Sequence, residues 1–418
     1  MMRKEDKAKA EKLLREFKGE SYTFGDGALK RVGPYAAKLG SKIAIVVGTY
    51  VKGTDPMKQV EASLKSAGVK VLDSFDGARA NAPREDLYRL AYQVTRANPD
   101  GVVVVGGGST IDAAKASLVL KLYGGVIDDY FGTGKVTEKS GGKQIPLVAV
   151  QTASSSGAHL TKYSNITDVV SGQKKLIVDD SVVPRASVYQ YDVSCTMPPG
   201  FTKDGALDGI SHCWEVWMGS TGKPNYGLVS QVAQLGIKLV VENLPAALKD
   251  GKDLEARYAL GLATDLGGYS IMLGGTSGPH LGSFSLIDVL SHGRACAVLN
   301  PYYTVLFAPA IGDQLRKVAP IYEAAGLIKG SAKLSGRELA VAVAKGMIAF
   351  SKSIEFPGTL KEAGATKDHI ERMVQAAKDP QLKMKLQNMP TPMSTEDVDR
   401  LMRPTLEAAF SGDLSRIP

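Results

Sequence analysis

The chain has 418 residues and a mass of 44.3 kDa, roughly three times a typical domain of about 100–150 residues, so a small disulfide-stapled module is excluded. Apolar residues make up 44% and charged residues 22%, which is ordinary globular composition rather than a disordered or coiled-coil bias. Subtracting 43 acidic from 51 basic residues leaves a net charge of +8, and the basic residues are scattered along the chain. This distribution argues against nucleic acid as a partner.

The start of the chain, MMRKEDKAKAEKLLREFK, alternates in charge and predicts a solvated amphipathic helix rather than a signal peptide. No run of about 18 apolar residues occurs, so we expect a soluble protein without a membrane partner. Cys195, Cys213 and Cys296 are far apart and never in Cys-x-x-Cys spacing, which fits a reducing, cytoplasmic location. We interpret them as small buried hydrophobic residues.

Residues 42–150 alternate short β-branched runs with helical patterns, which predicts a parallel sheet covered by helices. The predicted strands are KIAIVVG, VKVLDSF, GVVVVGGG and PLVAV, and the predicted helices are PMKQVEASLKSAG, EDLYRLAYQVTRA and TIDAAKASLVLKLYG. The runs IAIVV and VVVV are apolar on both faces, as strands in the middle of such a sheet must be. This order is typical of a nucleotide-binding domain.

A glycine-rich turn, Gly106, Gly107 and Gly108, joins the VVVV strand to a helix that opens with Ser109. Glycines let the backbone approach an anion, and a helix N-terminus supplies N–H groups and partial positive charge. The turn therefore predicts a pyrophosphate site. It differs from the usual Gly-x-Gly-x-x-Gly pattern and is also consistent with a simple tight connection.

A polar loop, TASSSGAH, follows the PLVAV strand, where the carboxyl ends of parallel strands form the ligand crevice. Its hydroxyl groups are candidate donors to phosphate or ribose, and ordinary loop chemistry explains them equally well. His159, at its end, is either a neighbour of substrate or cofactor or a hydrogen-bonded loop histidine.

Beyond about Pro184, apolar residues recur at three- and four-residue spacing, which predicts a nearly all-helical second domain. Six segments carry this pattern: LDGISHCWEVWMG, LVSQVAQLGIKLVVENLPAAL, EARYALGLATDLGGYSIML, GRACAVLNPYYTVLFAPAI, ELAVAVAKGMIAFSKSI and STEDVDRLMRPTLEAAF. Ser394 and Asp397 form an approximate capping box at the start of the last one. We predict an α/β domain over residues 1–188 and an all-α domain over residues 189–418.

Four of the five histidines fall between positions 159 and 292. Asp208 and His212 are four residues apart in a helical segment, so they share one face, as two ligands of one ion must, and Glu215 lies on that face. His280 and His292 are predicted at helix boundaries, where side chains can turn toward a shared cavity. Three imidazoles and a carboxylate suit Fe(II) or Zn(II), although each histidine alone is consistent with a structural role.

Together these motifs resemble the iron-dependent, or group III, alcohol dehydrogenase family over most of the chain. Matching fragments occur in family order: YTFGDGAL, FDGARANAP, GGGSTIDAAKA, QTASSSGAHLTKYSNITD, TMPPGFTKDGALDGISHCWE, HGRACAVLNP, FPGTL and MPTPMSTEDV. The resemblance implies an α/β dinucleotide-binding domain, an all-α metal-binding domain and a homodimer or larger homo-oligomer.

Carried over by position, the resemblance implies catalytic metal ligands at Asp208, His212, His280 and His292. It also implies a set of cofactor contacts: Gly48, Asn81, Gly106, Gly107, Gly108, Ser109, Asp112, Thr152, Ser156 and Lys174. Many NAD-preferring members carry an aspartate where this chain has Gly48, and that carboxylate repels a 2′-phosphate. NADP(H) is therefore admissible here beside NAD(H).

The third metal ligand departs from the family pattern. Many members carry two histidines four residues apart there, whereas this chain has only His280, twelve residues before His292. If His280 aligns with the first histidine of the pair, Phe284 occupies the position of the second. If His280 aligns with the second histidine, Thr276 occupies the position of the first and is a chemically poor metal ligand. We adopt the first alignment. The serine-rich loop also departs, because the family's Gly-Ser-Glu triplet is replaced by Gly-Ala-His.

We therefore expect a metal-dependent alcohol dehydrogenase or aldehyde reductase acting on a small or medium primary alcohol or aldehyde. The alternatives are a metal- and NAD-dependent lyase resembling dehydroquinate synthase, which shares the fold, and a glycerol-type polyol dehydrogenase. A polyanionic substrate would require a basic cluster, yet only Lys203 and Arg294 lie near the histidines in sequence. A non-catalytic binding protein should have lost a ligand, and all four candidates are present.

Overall fold

The computed structural model describes residues 2–168, 170 and 172–418. The chain divides into two compact units, one spanning Lys12–Met197 and the other spanning Pro198–Pro418 together with the N-terminal residues up to Glu11. None of the helices in these described ranges is long and apolar enough to cross a membrane.

The first unit is built on a six-stranded parallel sheet and a separate three-stranded sheet. The strands in chain order are β1 (Tyr22–Phe24), β2 (Lys42–Val47), β3 (Lys70–Asp76), β4 (Gly101–Gly106), β5 (Gly132–Thr133), β6 (Leu147–Gln151), β7 (Tyr163–Asp168), β8 (Gln173–Val178) and β9 (Ala186–Tyr189). The order in the large sheet is β1-β9-β6-β4-β2-β3, and in the small sheet β5-β8-β7. β5 pairs with β8 in parallel and β7 pairs with β8 antiparallel.

Helix α1 (Lys4–Lys18) precedes β1, and its residues up to Glu11 belong to the second unit. The helices that lie between strands are α2 (Val32–Ala37), α3 (Asp55–Ser66), α4 (Arg84–Ala97), α5 (Gly108–Tyr123) and α6 (Lys135–Ser140). Residues 43–47 of β2 and all of β4 are buried, which confirms that the doubly apolar runs are interior strands. Each predicted strand and helix of residues 42–150 is confirmed to within two residues at either end. The small sheet and the two further strands of the large sheet, β1 and β9, were not predicted.

The second unit is helical throughout, and no strand occurs anywhere in Pro198–Pro418. Its helices are α7 (Pro199–Met218), α8 (Tyr226–Lys249), α9 (Leu254–Leu273), α10 (Gly278–Ser283), α11 (His292–Leu306), α12 (Gly312–Ala324), α13 (Gly336–Ser353), α14 (Lys367–Ala377), α15 (Lys383–Gln387) and α16 (Arg403–Ser411). The long α7 packs against α8, α9 and α11, so the predicted Asp-x-x-x-His helix lies at the centre of this unit.

The last predicted helix begins later than expected. Ser394 and Asp397 do form the predicted capping contact, with Ser394 N donating to Asp397 Oδ2 at 3.0 Å. A π-helical turn over Val398–Met402 then precedes α16. Pro404 explains the irregularity, because it has no N–H with which to continue a regular α-helical hydrogen-bond ladder.

Candidate cofactor and metal sites

The glycine turn joins β4 directly to α5. Gly107 is the N-cap residue of α5, and no side chain caps the helix there. A Cβ atom on Gly108 would lie 2.3 Å from Ser156 Oγ, so the serine-rich loop after β6 lies against the first residue of the helix. The structure thus brings together the two polar segments that the sequence suggested separately, at the positive end of a helix dipole.

Four further predicted cofactor residues surround the turn. Ser109 Oγ accepts a hydrogen bond of 3.0 Å from Asn81 N, and Thr152 N donates to Gly106 O at 3.2 Å. A Cβ atom on Gly48 would lie 3.4 Å from Gly106 Cα. The ends of β2, β4 and β6 and the loop before α4 therefore meet at one place, at the carboxyl edge of the sheet.

Asp112 and Lys174, by contrast, are buried inside the unit. Asp112 Oδ2 accepts hydrogen bonds from Asn165 N and Nδ2 at 3.1 and 3.3 Å. Burial raises the pKa of Asp112, and the charges of Lys115 and Lys174 oppose that rise. The carboxylate of Asp112 thus accepts its hydrogen bonds from the protein residue Asn165.

Lys115, which the sequence did not single out, holds the serine-rich loop in place. Its ammonium is fully buried and donates to the carbonyl oxygens of Ala158, Thr161 and Tyr163 at 2.7, 2.7 and 2.8 Å. Burial lowers the pKa of Lys115 to about 8, while Asp112 opposes the change. One side chain of α5 thereby fixes the backbone on both sides of the loop end.

Replacing Lys115 by methionine is expected to lower the free energy of unfolding by about 3 kcal/mol or more, because three buried carbonyl groups lose their donor. Lys121→Met on the same helix is the matched control, since Lys121 donates to a single carbonyl, that of Pro99. The control should cost about 1 kcal/mol. Urea unfolding of both variants measures the difference, and equal losses would contradict this role.

The Lys115→Met substitution is also expected to change how the free energy of unfolding depends on pH. The folded-state pKa of Lys115 lies below its ordinary value of 10.5, so the unfolded chain binds more protons between about pH 8 and 10.5. The contribution of Lys115 to stability therefore rises with pH across that window. Lys115→Met should flatten this part of the stability profile relative to the unaltered protein.

His159 is packed inside the first unit. It is fully buried, its Nε2 lies 3.3 Å from Tyr22 Oη, and its carbonyl accepts a hydrogen bond from Ser187 Oγ. The ring packs edge-on against Tyr189, with ring centroids 5.6 Å apart. Of the two interpretations of His159, these contacts favour the hydrogen-bonded loop histidine.

The four predicted metal ligands converge in the helical unit. Asp208 and His212 lie one turn apart on α7, His280 lies on α10, and His292 is the first residue of α11. Asp208 Oδ1 lies 3.8 Å from the Nε2 atoms of both His212 and His280. The ring centroid of His280 lies 4.9 Å from that of His212 and 5.0 Å from that of His292.

These spacings fit ligands of one ion better than they fit hydrogen bonds. A distance of 3.8 Å is too long for a hydrogen bond. Two donors that each lie about 2.0–2.2 Å from a shared ion are roughly 3–4 Å apart, depending on the angle between them. Asp208, His212 and His280 are also at least nine-tenths buried, so the donor set is suited to a desolvated divalent cation.

Two neighbouring side chains set the tautomers of His280 and His292. Glu215 Oε1 lies 2.7 Å from His280 Nδ1, so Nδ1 carries the proton and donates to the carboxylate. Ser283 Oγ donates to His280 O at 2.7 Å and lies 3.0 Å from His292 Nδ1. Since the hydroxyl proton is already used, Ser283 accepts from His292 Nδ1–H. In both histidines, Nε2 keeps its lone pair for a ligand.

Glu215 is a fully buried carboxylate whose charge is compensated locally. Its Oε2 accepts a hydrogen bond of 2.9 Å from Ser277 N. Burial raises the pKa of Glu215, and the Ser277 bond and the ammonium of Lys385 oppose that rise. Burial also lowers the pKa of Lys385, and the negative charge of Glu215 opposes this decrease. The carboxylate and the ammonium therefore stabilise each other's charged form.

Thr276 and His280, the two candidates for the third metal ligand, have different contacts in the structure. Lys385 Nζ donates to Thr276 Oγ1, so the Thr276 hydroxyl is engaged with this ammonium. His280, in contrast, presents Nε2 to Asp208. This geometry supports the alignment that uses His280.

Sequence reasoning missed one donor at this centre. Donor atoms of Asp208, His280, His292 and Cys296 all lie within 4.8 Å of one another. Cys296 is buried, as expected of a small hydrophobic residue, but it lies beside the histidine cluster. Its position four residues after His292 on α11 puts both on one face, which was the available signal.

Two features of the structure bear on function: a glycine turn between a parallel strand and a helix N-terminus, and a buried centre of histidines and an aspartate in the helical unit. The family model for iron-containing alcohol dehydrogenases matches residues 19–191, and that for the C-terminal part of the Fe-containing alcohol dehydrogenase family matches residues 202–406. The chain therefore belongs to the iron-containing alcohol dehydrogenase family, which confirms the resemblance and favours the dehydrogenase over the lyase.

Two of the relatives match the chain over most of its length. The NAD-dependent methanol dehydrogenase of Bacillus methanolicus is 26% identical over 359 residues, which are 84% of this chain and 90% of the relative. Long-chain-alcohol dehydrogenase 1 of Geobacillus thermodenitrificans is 26% identical over 401 residues, or 93% and 95% of the two chains. The structure of an archaeal halo-thermophilic alcohol dehydrogenase from a Red Sea brine pool shares the fold, with a TM-score of 0.81 at 23% identity over 94% and 98% of the two chains.

Proposed function

We propose that this alcohol dehydrogenase uses a divalent metal ion to move a hydride between a nicotinamide cofactor and a small or medium primary alcohol or aldehyde. The observation that carries the proposal is the convergence of one carboxylate and three imidazoles from α7, α10 and α11. Methanol and long-chain alcohols in the names of two relatives support an alcohol as substrate and leave its chain length to experiment.

Asp208, His212, His280 and His292 would hold the ion, and the family description supports Fe(II), with Zn(II) admitted by the same donors. When bound, the ion supplies Lewis-acid polarisation of the substrate oxygen. Glu215 and Ser283 keep the Nε2 atoms of His280 and His292 unprotonated and oriented. Burial of the centre excludes water, which strengthens each electrostatic contact there.

The glycine turn and the serine-rich loop would hold the cofactor. The N-terminus of α5 would bind the pyrophosphate, and the hydroxyls of Thr152 and Ser156 would donate to phosphate or ribose. The nicotinamide supplies or accepts the hydride. Gly48 presents no carboxylate to repel a 2′-phosphate, so we propose that both NAD(H) and NADP(H) bind, while the NAD-dependent relative supports NAD(H).

Alcohol oxidation releases the hydroxyl proton as well as the hydride. At the position where many members carry a second histidine, this chain has Phe284, which is buried and stacked on His292 with ring centroids 5.9 Å apart. Phe284 cannot carry a proton, so we propose that the proton leaves through water or a ribose hydroxyl of the cofactor.

Gly108→Ala is expected to raise KM for the cofactor about tenfold, the cost of about 1.4 kcal/mol of lost binding, because the new Cβ displaces the Ser156 hydroxyl from the helix N-terminus. The double variant Gly108→Ala with Ser156→Gly removes the steric conflict. If the cause is the clash, the double variant should bind the cofactor no worse than Ser156→Gly alone. Additive losses from the two substitutions would contradict it.

The activity is tested with purified protein that has been stripped of metal and reconstituted with Fe(II) or Zn(II). Short and medium aldehydes are added with NADH or NADPH, and absorbance of the reduced cofactor is followed. Metal-dependent consumption with at least one aldehyde is the expected result. No turnover with any aldehyde, metal or cofactor would overturn the proposal.

We also propose that the protein is a cytoplasmic homodimer or larger homo-oligomer. The support is the family resemblance together with the absence of a cysteine framework in the sequence. Light scattering on the eluting protein measures the mass in solution, and a value near the 44.3 kDa of one chain would contradict the oligomer.

A further inference from the structure

Cys296 lies beside the proposed metal ligands Asp208, His280 and His292. Its side chain is fully buried on α11, one turn after His292. Its Sγ and donor atoms of Asp208, His280 and His292 lie within 4.8 Å of one another. The thiol therefore faces the same point as a carboxylate and two imidazoles.

The spacing is close to that of ligands on a single ion. A thiolate sulfur lies about 2.3 Å from Zn(II) and a histidine nitrogen about 2.0–2.1 Å, so donors on opposite sides of an ion are roughly 4.4 Å apart. The observed distances, at most 4.8 Å, exceed that span by no more than roughly 0.4 Å.

We propose that Cys296 binds the metal ion through its thiolate, beside Asp208, His280 and His292. This inference rests on the proposed metal-dependent function. On binding, the S–H bond breaks, a sulfur–metal bond forms and the proton leaves to solvent. A thiolate is a softer ligand than imidazole or carboxylate, so it shifts the preference of the centre toward Zn(II) relative to Mn(II).

The surroundings of Cys296 supply a compensating charge. Lys385 is fully buried, and burial lowers its pKa, whereas Glu215 and Cys296 raise it. Lys385 is thus a buried cation that interacts electrostatically with both Glu215 and Cys296.

The other buried cysteine has a different environment. Cys213 Sγ accepts a hydrogen bond of 3.6 Å from Ser270 Oγ and lies where a Cβ on Gly236 would contact it. Burial raises the pKa of Cys213 to about 12. Cys213 is thus a neutral packing residue, the role that the sequence suggested for all three cysteines, whereas Cys195 is only partly buried.

Cobalt substitution tests the proposal on the full-length protein. Metal-free protein is loaded with Co(II), its cobalt content is measured, and its absorption spectrum is recorded. A thiolate ligand produces a sulfur-to-cobalt charge-transfer band in the near ultraviolet, which imidazole and carboxylate do not. We expect this band in the unaltered protein and in Cys195→Ala, the control, and its loss in Cys296→Ala and Cys296→Ser with cobalt still bound.

X-ray absorption at the cobalt edge of the unaltered protein gives a second measurement that needs no variant. One sulfur at about 2.3 Å is expected. Cobalt bound without the charge-transfer band, or a coordination shell of nitrogen and oxygen alone, would overturn the role of Cys296 and leave the proposed dehydrogenase intact. Failure of the unaltered protein to bind cobalt at all would overturn the metal centre itself and this inference with it.

Discussion

Replacing His280 by alanine is expected to remove the bound metal ion and to lower kcat by about 10³-fold or more. Lewis-acid polarisation contributes several kcal/mol to such reactions, and each 1.4 kcal/mol is a factor of ten in rate. His280 presents Nε2 to Asp208 at 3.8 Å and lies between the rings of His212 and His292. Elemental analysis of the dialysed variant, with steady-state kinetics, measures both effects.

Thr276→Ala is the matched control, because Thr276 is the alternative third ligand in the sequence alignment. Its hydroxyl accepts a hydrogen bond from Lys385, so the substitution should retain the metal ion and cost stability instead. Metal loss in the threonine variant with retention in the histidine variant would show that the wrong alignment was adopted.

Replacing Glu215 by alanine is expected to weaken metal binding about 10–100-fold, the usual cost of removing a group that orients a metal ligand. Glu215 accepts the Nδ1 proton of His280 at 2.7 Å, and its loss frees that ring to change tautomer or rotate. The substitution also leaves Lys385 as a buried cation without its carboxylate, which is destabilising. Competition with a chelator measures the affinity, and denaturant unfolding of the metal-free protein measures the stability.

Glu215→Gln distinguishes orientation from charge. The amide oxygen can still accept from His280 Nδ1, so this variant should bind the metal ion more tightly than the alanine variant does. If both variants bind the ion as tightly as the unaltered protein, Glu215 has no part in positioning His280.

Four of the six strands of the large sheet, β2, β3, β4 and β6, were predicted because β-branched runs alternate there with helical patterns, whereas β1 and β9 were not predicted. The runs in β2 and β4 are apolar on both faces, and only an interior parallel strand buries both. The small sheet gave no comparable signal. β5 has two residues, and β7 has the polar sequence YSNITD, whose pairing depends on distant residues rather than on local pattern.

Local spacing also decided how much of the metal centre was predictable. The interval between Asp208 and His212 shows that they share a helix face, and Glu215 follows on it. Cys296 bears the same relation to His292, but the residue type suggested packing instead. Lys385 and Thr276 are far apart in sequence and meet only through the tertiary fold, so no motif indicated their contact.

Anomalous diffraction from crystals of the cobalt-loaded protein shows whether the four side chains bind one ion. One strong anomalous peak per chain is expected, about 2.0–2.2 Å from the Nε2 atoms of His212, His280 and His292 and from a carboxylate oxygen of Asp208. A peak elsewhere in the chain, or none despite bound cobalt in solution, would contradict it.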